Sequence, residues 1–211
     1  MRHVGLLETI RVRDGSAPLW GHHVARLYAA CAAAGVSPPR KLDVPGGGPD
    51  RVVRLVVTSG GVEATEREPG SLLPVRLITS RRRHEPYPHK TTERRQFDEA
   101  LAEAAAAQAD DAILTTAAGW VAETSVWGLY WWENGRLVAP PLELGILDSV
   151  ARRRLSELVP IADERVAPDQ LAARGAFVAN AARGVVGVRS IDGRAVAADA
   201  ETDALASSFW G

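Results

Sequence analysis

The 211-residue chain has a single cysteine, Cys31, and among its 25 Lys+Arg residues only two lysines, Lys41 and Lys90. One thiol cannot close an internal disulfide or build a cysteine zinc cluster. The five histidines, His3, His22, His23, His84 and His89, show neither HExxH nor His-x-His spacing, so no metal site is expected. Two lysines leave two candidates for any lysine nucleophile. No run of about 18 apolar residues occurs, which excludes an ordinary transmembrane helix. The opening MRHVGLLETI lacks the apolar stretch and small-residue cleavage site of a secretory leader, so the cytoplasm is the expected compartment. Surplus charge is missing as well. A net charge of −1 argues against a general nucleic-acid binder, which needs a basic excess on one face.

What is present describes a globular chain of one or two modest domains, 46% hydrophobic and 24% charged. LLETIRVRDG alternates and ends in Asp14-Gly15, the pattern of a strand entering a turn. Apolar spacing from His22 predicts a helix stopped by Gly35. Ser37 to Asp50 is too rich in Pro and Gly for a regular element. RVVRLVVTSGG predicts a buried strand and VEATERE a half-exposed one returning as a hairpin. Pro69-Gly70 divides a smaller domain, 1–69, from a larger one, 70–211. LLPVRLITS predicts a strand, and the prolines of RRRHEPYPH keep the chain irregular up to Lys90. Phe97 and Leu101 with the alanine run mark an amphipathic helix to Gln108. DAILTT predicts a strand, WVAETSVWGLYWW a long strand or bent strand pair, and Asn134-Gly135 a type I′ hairpin. A helix follows from an N-cap at Asp148 or Ser149. ERVAPDQLAARG predicts a strand and a short helix, AFVANAARGVVGVRSIDG two strands and turns, and ETDALASSFW a last helix. The fold class is α+β in two parts.

The order of these segments carries a resemblance. The strand ETIRV with its DG turn, the H-x-x-R-L helix (His23, Arg26, Leu27), HKTTERRQFDEAL, GWVAETSVWGLYW, GILDSVARRRL and FVANAARGVVGV together resemble the class IV aminotransferase family. These are the fold type IV pyridoxal-phosphate enzymes, and within them the chain is most similar to the aminodeoxychorismate lyases. The resemblance implies a two-domain fold like that of D-amino-acid aminotransferases, with a shortened N-terminal domain. Its implied cofactor is pyridoxal 5′-phosphate and its implied substrate a small molecule. A homodimer, and an aminodeoxychorismate synthase as a further partner, are also implied.

Residue by residue, the resemblance makes Lys90 the lysine that forms a Schiff base with the cofactor aldehyde. A solvated surface charge is the ordinary reading of a lysine, and Lys41 in its Pro/Gly loop keeps it. Glu123, in a strand near Val121, Val126 and tryptophans, is placed on the pyridine nitrogen, where an anion keeps that nitrogen protonated. Arg26 matches the phosphate-binding arginine, a role suited to a fixed guanidinium fork. The amides of Val150 and Ala151 match the helix N-terminus that meets the phosphate, and Leu147 the apolar residue against the ring. Asn180-Ala181 resembles a turn facing cofactor and substrate, although it also fits an ordinary turn. Among Arg81, Arg83, Arg94 and Arg183, a substrate carboxylate is assigned to Arg83 and Arg94.

The chain departs from the family pattern at three places. Where leucine-proline-glycine is common it has Leu147-Asp148-Ser149, with Asp148 expected to turn toward Arg152. Ala151 replaces a frequent threonine, and Gly128 a frequent asparagine. Three readings follow: a lyase converting 4-amino-4-deoxychorismate to 4-aminobenzoate and pyruvate, an aminotransferase of D-amino or branched-chain acids, and a catalytically silent relative that acts as a binding protein.

Overall fold

The computed structural model describes residues 4–211. Met1, Arg2 and His3, which belong to the opening segment and the histidine inventory above, lie outside the described residues. Two sheets organise the rest. Three antiparallel strands, β1 (Leu6–Val12), β2 (Arg51–Thr58) and β3 (Gly61–Arg67), pair in chain order. Leu6, Ile10 and Val12 of β1 share one face by strand alternation and pack with β2 residues and with helix α1 (Trp20–Ala34). Gly35 ends α1 in the left-handed conformation (φ 64°), which glycine adopts without a Cβ penalty. β3 was expected to be half-exposed; instead every residue of it is exposed, because it is the sheet's edge and nothing among the described residues covers it.

The larger sheet is built from β4 (Val75–Arg83), β5 (Asp111–Thr115), β6 (Val121–Thr124), β7 (Gly128–Glu133), β8 (Arg136–Ala139), β9 (Ile161–Asp163), β10 (Gly175–Asn180) and β11 (Gly184–Ile191). Their spatial order is β6-β5-β4-β11-β10-β7-β8-β9, and the short β12 (Arg194–Ala195) pairs with β11. Contacts of β4 with β5 and β11, and of β8 with β9, are parallel; the rest are antiparallel. Helix α2 (Arg95–Ala106) covers β4 and β5, while α3 (Val150–Leu158) and α5 (Ala200–Ser208) cover the β10–β11 side; α4 (Pro168–Leu171) is a single turn. The mixture of helices with parallel and antiparallel strands is the α+β class expected.

Local expectations fail where tertiary pairing overrules them. Arg81–Arg83 continue β4 because the strand keeps pairing with β5 as far as Thr115. Glu164–Ala167 form no strand; the short parallel pairing to β8 uses Ile161–Asp163 instead. WVAETSVWGLYWW is two strands, β6 and β7, placed far apart in the sheet order, with Ser125–Trp127 turning the chain between them. In α2 the buried face is Phe97, Ala100 and Ala104, and Leu101 is left exposed. Asn134 and Gly135 both have positive φ (51° and 72°), as a type I′ turn requires.

No helix among the described residues is long and apolar enough to cross a membrane. Phe97 anchors α2 beneath the segment that carries Lys90, its ring edge-on to Tyr87 at 4.8 Å between centroids. Phe97→Ala should therefore cost about 3–5 kcal/mol of stability, read as a lowered urea midpoint with an unchanged slope.

Candidate active site

Lys90 stands at the end of a proline-punctuated segment that the small sheet and α2 both hold. Tyr87, between Pro86 and Pro88, is buried against Phe97; its hydroxyl donates to the Thr91 carbonyl (2.7 Å) and accepts from the Thr91 amide (2.6 Å). The Lys90 carbonyl accepts from the Leu7 amide of β1 at 2.8 Å. With its backbone pinned on both sides, the half-buried Lys90 side chain lines a cavity of about 490 Å³. Burial, reinforced by the cations of Arg26 and Arg94 and opposed by Glu8 and Glu123, pushes its amine down to about 7. Lys41, by contrast, is exposed and pairs with Asp43.

Arg26 is fixed by a partner that the reading of local patterns missed. Glu8 shares the inward parity of Leu6, Ile10 and Val12, and its buried carboxylate accepts from Arg26 Nε at 2.9 Å and Nη2 at 2.5 Å. His23 Nδ1 lies 2.6 Å from the same carboxylate. Spacing of i, i+3 puts His23 and Arg26 on one face of α1, above β1. Burial alone would raise the Glu8 carboxyl, but the Arg26 cation and the bonds from His23 and Arg26 hold it down at about 2. The fork of Arg26 is thus spent on Glu8. Its Nη1 has no partner among the described residues, and its side chain lines the cavity.

Glu123, on β6, faces the same cavity and is buried. Its Oε1 accepts from His84 Nε2 at 2.9 Å and from the Leu147 amide at 3.3 Å, leaving Oε2 without a partner among the described residues. His84 lies 39 residues from Glu123 and was not anticipated; its own Nδ1 is buried and unpaired among the described residues. A second unanticipated carboxylate, Asp111, shapes the wall. Fully buried, it accepts from Ser125 Oγ, from Thr124 Oγ1 at 2.7 Å and from the amides of Ser125 and Val126, both at 3.2 Å.

The remaining expected residues divide. Leu147, Val150, Asn180 and Ala181 line the cavity, and Ala151 lies just behind in the core. The amides of Val150 and Ala151 have no acceptor among the described residues, while Ser149 caps α3 by accepting from the Arg152 amide at 3.0 Å. Asn180 is a turn organiser: its Oδ1 accepts from the amides of Ala182 and Arg183, and its Nδ2 donates to the Val126 carbonyl. Arg94 lines the cavity and donates to the Ser125 carbonyl at 2.6 Å. Arg83 is not brought to the cavity wall; its Nη1 is bound to Thr115 Oγ1 at 2.6 Å, because β4 continues through it and the side chain leaves along β5. Arg54 and Arg67 enter the wall from β2 and β3, which no local signal marked.

The departures are accommodated locally. Asp148 pairs with Arg153 (Nη2 2.8 Å), not with Arg152, which is drawn instead to Asp163 (2.6 Å) and the Pro140 carbonyl. A Cβ at Gly128 would lie 2.7 Å from Tyr130 Oη, so the space of a side chain there is filled by that buried ring. The donor set fits pyridoxal phosphate: a low-pKa amine at Lys90, an unpartnered carboxylate oxygen at Glu123, and Arg26 Nη1 with the free amides of α3 for an anion.

Comparison with known proteins identifies the family and the fold. The sequence profile of amino-transferase class IV matches residues 47–191. A branched-chain aminotransferase from Thermoproteus uzoniensis has a TM-score of 0.86 at 22% identity, covering 97% of this chain and 84% of that one. A protein described as a candidate 4-amino-4-deoxychorismate lyase from Legionella pneumophila has a TM-score of 0.82 at 21% identity, covering 97% and 91%. A hypothetical aminotransferase from Mycobacterium tuberculosis in its PLP-bound form has a TM-score of 0.83 at 20% identity, covering 97% and 87%. No sequence among curated proteins matches.

Because Glu8 is held down at about 2, below its ordinary 4.5, the folded state binds fewer protons there than the unfolded chain. Its stabilisation is complete above about pH 4.5 and is lost as pH falls toward 2. Glu8→Gln should cost about 3–5 kcal/mol at pH 7 and flatten the acid limb of stability against pH, measured by urea unfolding.

Proposed function

Since the chain belongs to the class IV aminotransferase family, whose enzymes depend on pyridoxal phosphate, we propose that it is a lyase converting 4-amino-4-deoxychorismate to 4-aminobenzoate and pyruvate. The observation that carries this reading is the placement of Lys90, Glu123 and Arg26 on the wall of one cavity, where burial holds the Lys90 amine well below the ordinary lysine range. When bound, pyridoxal phosphate supplies the electron sink that makes the substrate carbon acidic. Lys90 Nζ would hold the cofactor until the substrate amine displaces it, and the freed neutral amine would then take the proton from the substrate carbon that bears nitrogen. The ring carbon–oxygen bond to the enolpyruvyl group would break as the ring becomes aromatic, and the same nitrogen would return the proton to the methylene carbon of the departing enolpyruvate, which leaves as pyruvate without any other reactant. Glu123 Oε2 holds negative charge at the pyridine nitrogen while His84 and the Leu147 amide occupy Oε1. Arg26 Nη1 and the amides of Val150 and Ala151 take the phosphate, Leu147 lies against the ring, and the turn at Asn180-Ala181 borders cofactor and substrate. Arg94 is the remaining candidate for a substrate carboxylate.

The pairing of Asp148 with Arg153 keeps its charge engaged away from the phosphate role given to α3, which weakens the case for a silent relative. An aminotransferase would use the same Lys90 and Glu123 but return the proton to the cofactor. A homodimer in the cytoplasm, with an aminodeoxychorismate synthase supplying substrate, completes the proposal; the uncovered β3 edge and exposed Leu72 and Leu73 are surfaces a second copy would cover.

Borohydride reduction of the protein with pyridoxal phosphate, followed by peptide mapping, should place the adduct on Lys90; an adduct on Lys41, or none, refutes the assignment. Incubation with 4-amino-4-deoxychorismate should release 4-aminobenzoate and pyruvate in equal amounts, whereas an amino-acid-dependent oxo acid would indicate transamination. Glu123→Gln should lower turnover on the order of a hundredfold while cofactor attachment persists.

A further inference from the structure

Two of the cations on the cavity wall sit in different charge environments. The Lys90 amine is acted on by Arg26, Arg94, Glu8 and Glu123. Arg183 is acted on by a different set, Arg67 and Asp111. Arg67 ends the edge strand β3, and Arg183 follows the Asn180 turn between β10 and β11, so both sheets send a guanidinium to the same cavity, where Arg54 of β2 adds a further cation.

Neither cation is neutralised. Among the described residues Arg67 donates only to the Glu68 carbonyl, and Arg183 forms no bond to a carboxylate. Asp111, the carboxylate that acts on Arg183, has its oxygens taken by Ser125, Thr124 and Val126. Glu66 lines the wall but pairs with Arg51. Arg183 is also held in place: its guanidinium lies over the buried Trp127 ring at 5.1 Å, and a Cβ at Gly70 would fall 2.5 Å from its Nε. Burial and the like charge of Arg67, opposed by Asp111, push Arg183 below its ordinary value. Two preset forks with free donors match a carboxylate, which accepts bidentate bonds from each.

We propose that Arg67 and Arg183 form a subsite for a second substrate carboxylate, so that the cavity selects dicarboxylates over monocarboxylates. This rests on the reading of the cavity as the active site and names the class of substrate it takes. The Arg26 and Lys90 group serves the reacting end, and the Arg67–Arg183 pair anchors the other.

Calorimetric titration of the protein incubated with pyridoxal phosphate tests it, with glutarate as dicarboxylate and butyrate as monocarboxylate. Glutarate should bind wild type at least tenfold more tightly than butyrate. Arg183→Gln and Arg67→Gln should each cut glutarate affinity about tenfold and leave butyrate within threefold; Arg67 is on an exposed strand, so its variant does not threaten folding. A wild-type preference below threefold, or one that survives in both variants, overturns the proposal. Borohydride trapping at Lys90 is read on the same samples. Failed trapping with the glutarate preference intact would count against the proposed function alone, and normal trapping without that preference would overturn the subsite alone.

Discussion

The carboxylate of Glu8 facing inward from a strand that is otherwise apolar on that side is the constraint from which the site follows. A buried charge without partners is too costly to fold around, so β1 can pack only where cations reach it. Helix α1 supplies one in Arg26, and one turn earlier His23 adds a hydrogen bond from a ring that burial holds below the ordinary histidine range. Docking α1 this way commits two nitrogens of Arg26 and leaves the third at the cavity. It also places a cation and an anion where both act on Lys90, and together with burial they put its amine near the pH at which proton transfer in both directions is efficient.

Around that network, polar side chains hold the backbone of the cavity wall in place. Tyr87 clips Thr91 next to Lys90, Asp111 gathers the Thr124–Val126 turn, Asn180 closes the β10–β11 turn, and Ser149 caps α3. Each satisfies amides that would otherwise be buried without partners. The cavity wall is therefore rigid where it is backbone. Its variable chemistry resides in the side chains that project from it.

Much of this was legible along the chain. Asp14-Gly15, Gly35, Asn134-Gly135 and Asp192-Gly193 all adopt the positive φ that turn and cap chemistry demands. Scarcity singled out Lys90, and the H-x-x-R spacing singled out Arg26. Errors arose where a partner distant in sequence decided the outcome: Arg83 was drawn into β4 by β5, Leu101 lost its core place to Ala100 and Ala104, and Asp148 found Arg153 because Asp163 had taken Arg152.

The alternation of strands and helices and the turns follow from near neighbours along the chain, and lysine scarcity with the family resemblance marks Lys90 and Glu123 as candidates. Only the tertiary structure decided what each of them faces. His84 reaches Glu123 across 39 residues, Glu8 reaches Arg26 across 18, and Arg67 of the small sheet lines the same cavity as Arg183 of the large one. Such pairings are set by how sheets and helices pack to bury apolar surface, and the energy of a buried charge depends on the partner that packing brings to it.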